Sequence, residues 1–232
     1  MKIFAIGDLH LSFDPRVDKP MDVFGPEWKN HAERVRESWL NTVGEQDTVL
    51  IPGDISWGLK ADEAAMDLAW VHSLPGEKIL SKGNHDLWWT SAHKLNGLYG
   101  DMHFLQNTAF PIGDGIFAAG TRGWTCPGSE GFTEHDEKIY HREVLRLRMS
   151  LDDAVKQGAE EIIAMLHYPP TNEAGQGSDF TKALREYGVK TCVYGHLHGE
   201  RNFRRGIQGY FNGVDYHLVS LDHLMAMPLR IR

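Results

Sequence analysis

Cysteine is nearly absent: the 232 residues include only Cys126 and Cys192. Two thiols exclude a disulfide framework and suit a reducing compartment, so a cytoplasmic location is expected. No run approaches the roughly 20 consecutive apolar residues that a membrane-spanning helix needs. The apolar stretch after Met1 breaks at Asp8, too early for the core of a signal peptide. Positive charge is short as well, with 24 Lys and Arg against 32 Asp and Glu and a formal charge of -8. That balance, with no basic run, argues against a protein that holds nucleic acid by general phosphate neutralisation, and leaves room for a local cationic site. Internal repeats, low-complexity tracts and a convincing linker are missing too. With 41% hydrophobic and 24% charged residues, the chain can bury one substantial core, and residues 1–232 read as one domain.

What is present is an alternation. Short apolar runs at 2–6, 48–51, 77–80, 115–119, 161–166 and 191–194 end in Gly, Asp or His and read as buried strands. Between them, Trp28, Ala32, Val35, Trp39 and Val43 fall on one helical face, as do Tyr140, Val144, Leu147, Leu151 and Ala154. Gly158 is placed to end the second of these helices. Ser178 is placed to cap a shorter helix that Gly188 stops. Residues 207–211, Asn212-Gly213 and 214–219 read as a hairpin with a tight turn. The class is therefore α/β with a mixed sheet. Residues 14–27 and 125–137 look like loop insertions, rich in Pro, Gly and charge.

The chemistry-bearing residues gather where these strands end, which is where open α/β sheets place functional groups. Asp8 and His10, at i and i+2, share one side of an extended chain and can converge on one ion. Gly53-Asp54 follows the second strand, and the two oxygens of a carboxylate can bridge two cations. Gly83-Asn84-His85-Asp86 follows the third; Asn84 can ligate through its amide oxygen, while Asn and Asp there can equally cap a helix starting near Thr90. His167 follows another strand, and Gly195-His196-Leu197-His198 sets two imidazoles at i and i+2. Taken singly, Asp54 is an ordinary turn residue and each histidine an ordinary packing residue. Taken together, Asp8, His10, Asp54, Asn84, His167, His196 and His198 are more ligands than one tetrahedral zinc uses, so two metal ions are implied. Mixed carboxylate, imidazole and amide donors suit Mn²⁺, Fe²⁺ or Fe³⁺, Zn²⁺ or Co²⁺ better than Ca²⁺ or Mg²⁺. The other eight histidines fall outside these motifs; of them His135 and His217 stay open as site residues.

In this order, Asp-x-His, Gly-Asp, Gly-Asn-His-Asp, a strand-end His and Gly-His-x-His span residues 8–198 and resemble the calcineurin-like metallophosphoesterases, of the bacterial phosphohydrolase type. The resemblance implies a four-layer αββα sandwich of two mixed sheets, with metals at the strand ends. It implies Asp8, His10 and His198 on one metal, Asn84, His167 and His196 on the other, and Asp54 as the bridge. It makes His85 the group that donates a proton or hydrogen bond to the phosphoester, with Asp86 orienting it. The expected reaction is hydrolysis of a phosphomonoester or phosphodiester by a hydroxide bridging the two metals, with Asp54 and His85 as the catalytic pair. The expected substrate is a small molecule or a phosphoprotein. Arg122 and Trp124, after the run at 115–120, are candidate substrate contacts, against ordinary packing and a surface ion pair. Two other readings stand beside this one: a nuclease of the same superfamily, disfavoured by the acidic balance, and a binding scaffold that has lost turnover, disfavoured by the intact motif set.

Overall fold

The computed structural model describes residues 1–232 and contains two sheets packed face to face. In the first, β1 (Ile3–Ala5), β2 (Thr48–Pro52), β3 (Glu77–Ser81) and β4 (Met102–Leu105) run parallel. The last strand of the chain, β11 (Leu229–Arg230), closes this sheet antiparallel to β1. The second sheet is ordered β5 (Ala109–Gly113), β6 (Ile116–Thr121), β7 (Glu161–Leu166), β8 (Thr191–Tyr194), β10 (Val214–Leu218) and β9 (Gly209–Phe211). Its central strands are parallel, and antiparallel hairpins form both edges. In the last hairpin Asn212 and Gly213 have φ of 51° and 91°, the two positive values that a twisted two-residue turn demands.

Helices cover the outer faces. α1 (His31–Thr42) and α2 (Ala65–His72) lie on the first sheet, where Trp28, Val35 and Trp39 join a buried cluster of 25 residues. α3 (Ala92–Leu95) is a single turn capped by the Ser91 hydroxyl, so neither Asn84 nor Asp86 is its cap. α4 (Glu134–Lys156) and α5 (Asp179–Glu186) cover the second sheet, where Tyr140, Leu147, Leu151 and Phe180 join a cluster of 21. α6 (Glu200–Phe203) follows β8. A third cluster of 11 residues, including Ile3, Ala5, Leu50, Ile163, Met165 and Val193, fills the seam between the sheets. Helix, sheet, sheet, helix is the four-layer mixed sandwich expected. Each large apolar side chain so buried contributes about 1.5–3 kcal/mol.

The helix signals read from the sequence are where the chain uses them. Ser178 caps α5 through a reciprocal capping box with Thr181. The expected loop at 125–137 ends earlier, because Thr133 and Asp136 form a second capping box and residues 134–137 become the first turn of α4. Glu134, Asp136 and Glu137 then sit at the positive end of the helix dipole. Residues 14–27 fold back on the first sheet. Arg16 bonds Asp14 at 2.7 Å and Asp62 at 2.8 Å, and 3₁₀ turns follow at Met21–Phe24 and Pro26–Trp28. No helix is long and apolar enough to cross a membrane.

Candidate metal centre

Parallel strands of both sheets end along one seam, and the strand-end residues meet there. Asp8 and His10 follow β1, Asp54 follows β2, and Asn84 and His85 follow β3, all from the first sheet. His167 follows β7 and His196 and His198 follow β8, from the second. The chain reaches these positions through left-handed backbone: φ is 57° at Asp8, 45° at His10, 51° at Asp54 and 71° at His196. Such residues each cost on the order of 1–3 kcal/mol, and persist only where the surroundings over-determine them. Backbone bonds from Asp8 to Gly53 at 3.0 Å and from His10 to Asp54 at 2.9 Å lock the first two loops together. Glycine is required beside them: a Cβ on Gly83 would enter the Asp54 carboxylate, and one on Gly195 the Asp8 carboxylate.

Two groups of donor atoms result, Asp8 with His10 and His198, and Asp54 with His167 and His196, each group within 4.8 Å. They adjoin. Asp54 Oδ2 lies 3.4 Å from His167 Nε2 and 3.8 Å from His10 Nε2. Asp8 Oδ1 lies 3.7 Å from His198 Nε2 and 3.8 Å from His167 Nδ1. Asn84 Oδ1 is 2.7 Å from His167 Nε2, which brings the amide into the second group. Thus all seven candidate ligands converge, while His135 lies exposed and His217 faces Asp215 at 3.2 Å, outside both groups.

The donor set fits divalent cations. His10 Nε2 and His198 Nε2 face each other at 3.4 Å, and His10 Nδ1 is buried without a hydrogen-bond partner. Burial pushes the His10 imidazole well below its ordinary pKa, and burial with the neighbouring His167 takes His196 down to about 3, so both rings are neutral donors. Burial pushes Asp8 up to about 6. Against the opposing effect of burial, His167 and His10 hold Asp54 well below the usual carboxylate range. His167, despite a burial effect in the other direction, is raised to about 9 by Asp54 and Asp8. A proton on His167 therefore stands among the carboxylates where a cation would serve.

Outer contacts fix the rings. His167 Nδ1 meets the Pro52 carbonyl at 3.0 Å, and His198 Nδ1 meets Asp222 Oδ1 at 3.0 Å, so both Nε2 atoms point inward. Asp222 also accepts the Gly199 N–H at 3.0 Å. Nothing in the motif pattern singled it out, although it follows β10 as the candidate ligands follow their own strands. His85, half-buried, donates its backbone N–H to Asp54 at 2.8 Å and packs 4.3 Å from the Trp57 ring. Asp86 does not reach the His85 ring as expected. Fully buried, it accepts five N–H groups: Ile55, Ser56 and Trp88 Nε1 on one oxygen, Asp54 and Gly83 on the other. It clamps the β2 loop to the β3 loop.

Beside His196, whose ring lies 4.0 Å from that of Tyr168, a cavity of about 220 Å³ opens against residues of the 125–133 loop. Trp124 stands behind Tyr168 at 5.0 Å and donates to Asp136. The Arg122 guanidinium lies 4.6 Å from the Trp124 ring and 3.6 Å from Glu143, in a separate cavity.

Comparison with known proteins agrees with this geometry. The Gene 66 protein of Mycobacterium phage D29 is 34% identical over 231 residues, covering 97% of this chain and 94% of that protein. The phosphopantetheinyl hydrolase of Mycobacterium tuberculosis superposes with a TM-score of 0.55 at 16% identity, over 94% of this chain and 88% of that one. A protein of unknown function from Aquifex aeolicus, AQ665, gives 0.51 at 14% identity, over 99% and 95%. At such identities these structures share the fold alone. A model of the calcineurin-like phosphoesterase family matches residues 1–200, which include all seven candidate ligands and His85. The chain belongs to the calcineurin-like phosphoesterase family, and is a metal-dependent hydrolase of phosphoester bonds.

Proposed function

We propose that the protein hydrolyses small-molecule phosphomonoesters or phosphodiesters with two divalent ions. Asp8, His10 and His198 would hold one, Asn84, His167 and His196 the other, and Asp54 both. The observation that carries this reading is the placement of Asp54, 3.4 Å from His167 in one group and 3.8 Å from His10 in the other. Mn²⁺, Fe²⁺ or Fe³⁺, Zn²⁺ and Co²⁺ suit the mixed donors. When bound, such ions supply Lewis acidity toward phosphoryl oxygens and lower the pKa of a coordinated water.

The chain's own residues do the rest. Asp222 and the Pro52 carbonyl hold the His198 and His167 rings so that Nε2 faces inward. Asp86 holds the loops of Asp54 and Asn84 at their separation. His85, braced by Trp57, offers a ring N–H to the departing ester oxygen and stabilises the charge that develops there. The cavity beside His196 is sized for a small leaving group. The 14–27 segment closes the other side, with Lys19 Nζ 5.5 Å from the Trp57 ring. Two carboxylates against two divalent ions leave the pocket locally positive in an acidic chain, which draws phosphoesters to it.

The test is hydrolysis of para-nitrophenyl phosphate and bis-para-nitrophenyl phosphate by chelator-stripped protein reloaded with Mn²⁺, beside Asp54→Asn. Activity should return with metal and fall at least 100-fold in the variant, by analogy with losses on removing an electrostatic group. Hydrolysis that survives both stripping and substitution would overturn the reading. The ratio of the two substrates assigns monoesterase or diesterase preference.

A further inference from the structure

A second cluster of charge lies at the same strand-end edge, outside both candidate ligand groups. Glu143, on the inward face of α4, has a side chain only 1% exposed. It accepts the Thr121 hydroxyl at 2.6 Å and an Arg146 N–H at 2.8 Å, and Arg122 and Arg142 approach it at 3.6 and 3.7 Å. These residues, with Lys82, line a cavity of about 280 Å³ between β3, β6 and α4. Four cationic side chains border it against one carboxylate. Arg146 alone suffices to neutralise Glu143. The remaining three cations repel one another, and are gathered in a chain whose formal charge is -8.

Two residues that line the cavity also carry buried donors without a partner, Arg122 Nε and Trp89 Nε1. Trp89 is 6% exposed. Four cationic side chains around one carboxylate make an anion rich in acceptor oxygens the chemical complement of the cavity. Thr90, Gln106 and Asn107 add neutral polar groups around the rim.

We infer that this cavity is a phosphate-binding site distinct from the metal centre. The metal ligands contribute nothing to it, so the inference stands whether or not two ions are bound. Arg122, read from the sequence as a substrate contact, takes part here. Guanidinium forks match phosphate oxygens bidentately, and three arginines with a lysine provide more donors than one phosphate uses. The phosphate has two possible sources: a free anion, or a second phosphate carried by the substrate. The second source is motivated by chain connectivity: Lys82 stands two residues before Asn84, and the Arg122 carbonyl accepts the His167 N–H at 3.0 Å.

Calorimetric titration of inorganic phosphate into the chelated full chain reads this site without the metals. Wild type should bind one equivalent, and Arg142→Gln, at an arginine 54% exposed, should bind about tenfold more weakly, the loss of one charge-assisted contact. Lys82→Gln, which leaves the Arg146–Glu143 pair intact, gives a second, independent measurement. Steady-state kinetics of the Mn²⁺-loaded protein then separate the sources. If KM for a nucleoside 3′,5′-bisphosphate rises in Arg142→Gln relative to that for para-nitrophenyl phosphate, the substrate carries the anion; if the ratio holds while titration shows the loss, the anion is free. Absence of phosphate binding to the chelated wild type, or binding by both variants as tight as wild type, overturns the inference.

Discussion

Replacing Asp86 with asparagine keeps its shape and exchanges one carboxylate oxygen for an amide NH₂, at a place where every neighbour is a donor. Oδ1 receives Ile55 N–H at 2.9 Å, Ser56 N–H at 3.2 Å and Trp88 Nε1–H at 3.0 Å. Oδ2 receives Asp54 N–H at 2.9 Å and Gly83 N–H at 2.8 Å. The better amide orientation saves the first three bonds and turns NH₂ against the last two. Two hydrogen bonds to a charged acceptor are then lost, at about 1.5–3 kcal/mol each, and their donors remain buried and unpaired. Asp86→Asn should therefore lose about 3–6 kcal/mol. Urea denaturation followed by tryptophan fluorescence measures it as a lower midpoint at unchanged slope. The same two bonds tie the loop of Asp54 to that of Asn84, so metal affinity should fall along with stability. A variant within about 0.5 kcal/mol of wild type, the range of an ordinary surface substitution, would refute the assignment of Asp86 as the clamp.

Asp222→Asn keeps one acceptor where His198 Nδ1 and Gly199 N–H both need one, so metal affinity should fall about 10- to 100-fold in competition with a chelator; equal affinity would count against its orienting role. Asp101 binds the fully buried Lys78 ammonium and lies 2.6 Å from His72 Nδ1, and these contacts, against the opposing effect of burial, hold its carboxyl below the usual range. A depressed carboxyl stabilises above its unfolded pKa of about 4 and loses that contribution as pH falls through the folded value. Asp101→Asn should thus be destabilised by about 1–3 kcal/mol at pH 7, with the gap from wild type closing below about pH 4; a gap independent of pH would contradict this.

The candidate ligands were legible because each follows a short apolar run that reads as a buried strand, and the strand ends of both sheets meet along one seam. Asp86 departs from the role beside His85 that the resemblance implied, because its side chain turns inward to the β2 loop. Asp222 was invisible because its partner His198 is 24 residues away and no motif joins them. Strands β4 and β5 escaped notice because each lies at an edge of its sheet. In β5 the register shifts beside Pro111, which an edge position tolerates. Helix α2 was hidden because Ala65, Met66, Leu68, Ala69, Trp70 and Val71 leave little polar contrast between its faces.

The seam between the sheets has a consequence for tolerance to change. Contacts across it include His10 to His198 and Asp54 to His167, both at 3.4 Å. A slip of one sheet over the other by a single residue, about 3.3 Å, would pull these halves apart and leave both outer cores whole. The 11 residues between the sheets therefore act as an alignment gauge, in which small side chains such as Ala5, Ala118 and Val193 set how closely one half of the active centre addresses the other. Enlarging one of them should extinguish turnover well before the protein unfolds, whereas carving into Trp39 or Tyr140 should spend stability first and leave the surviving folded molecules fully active.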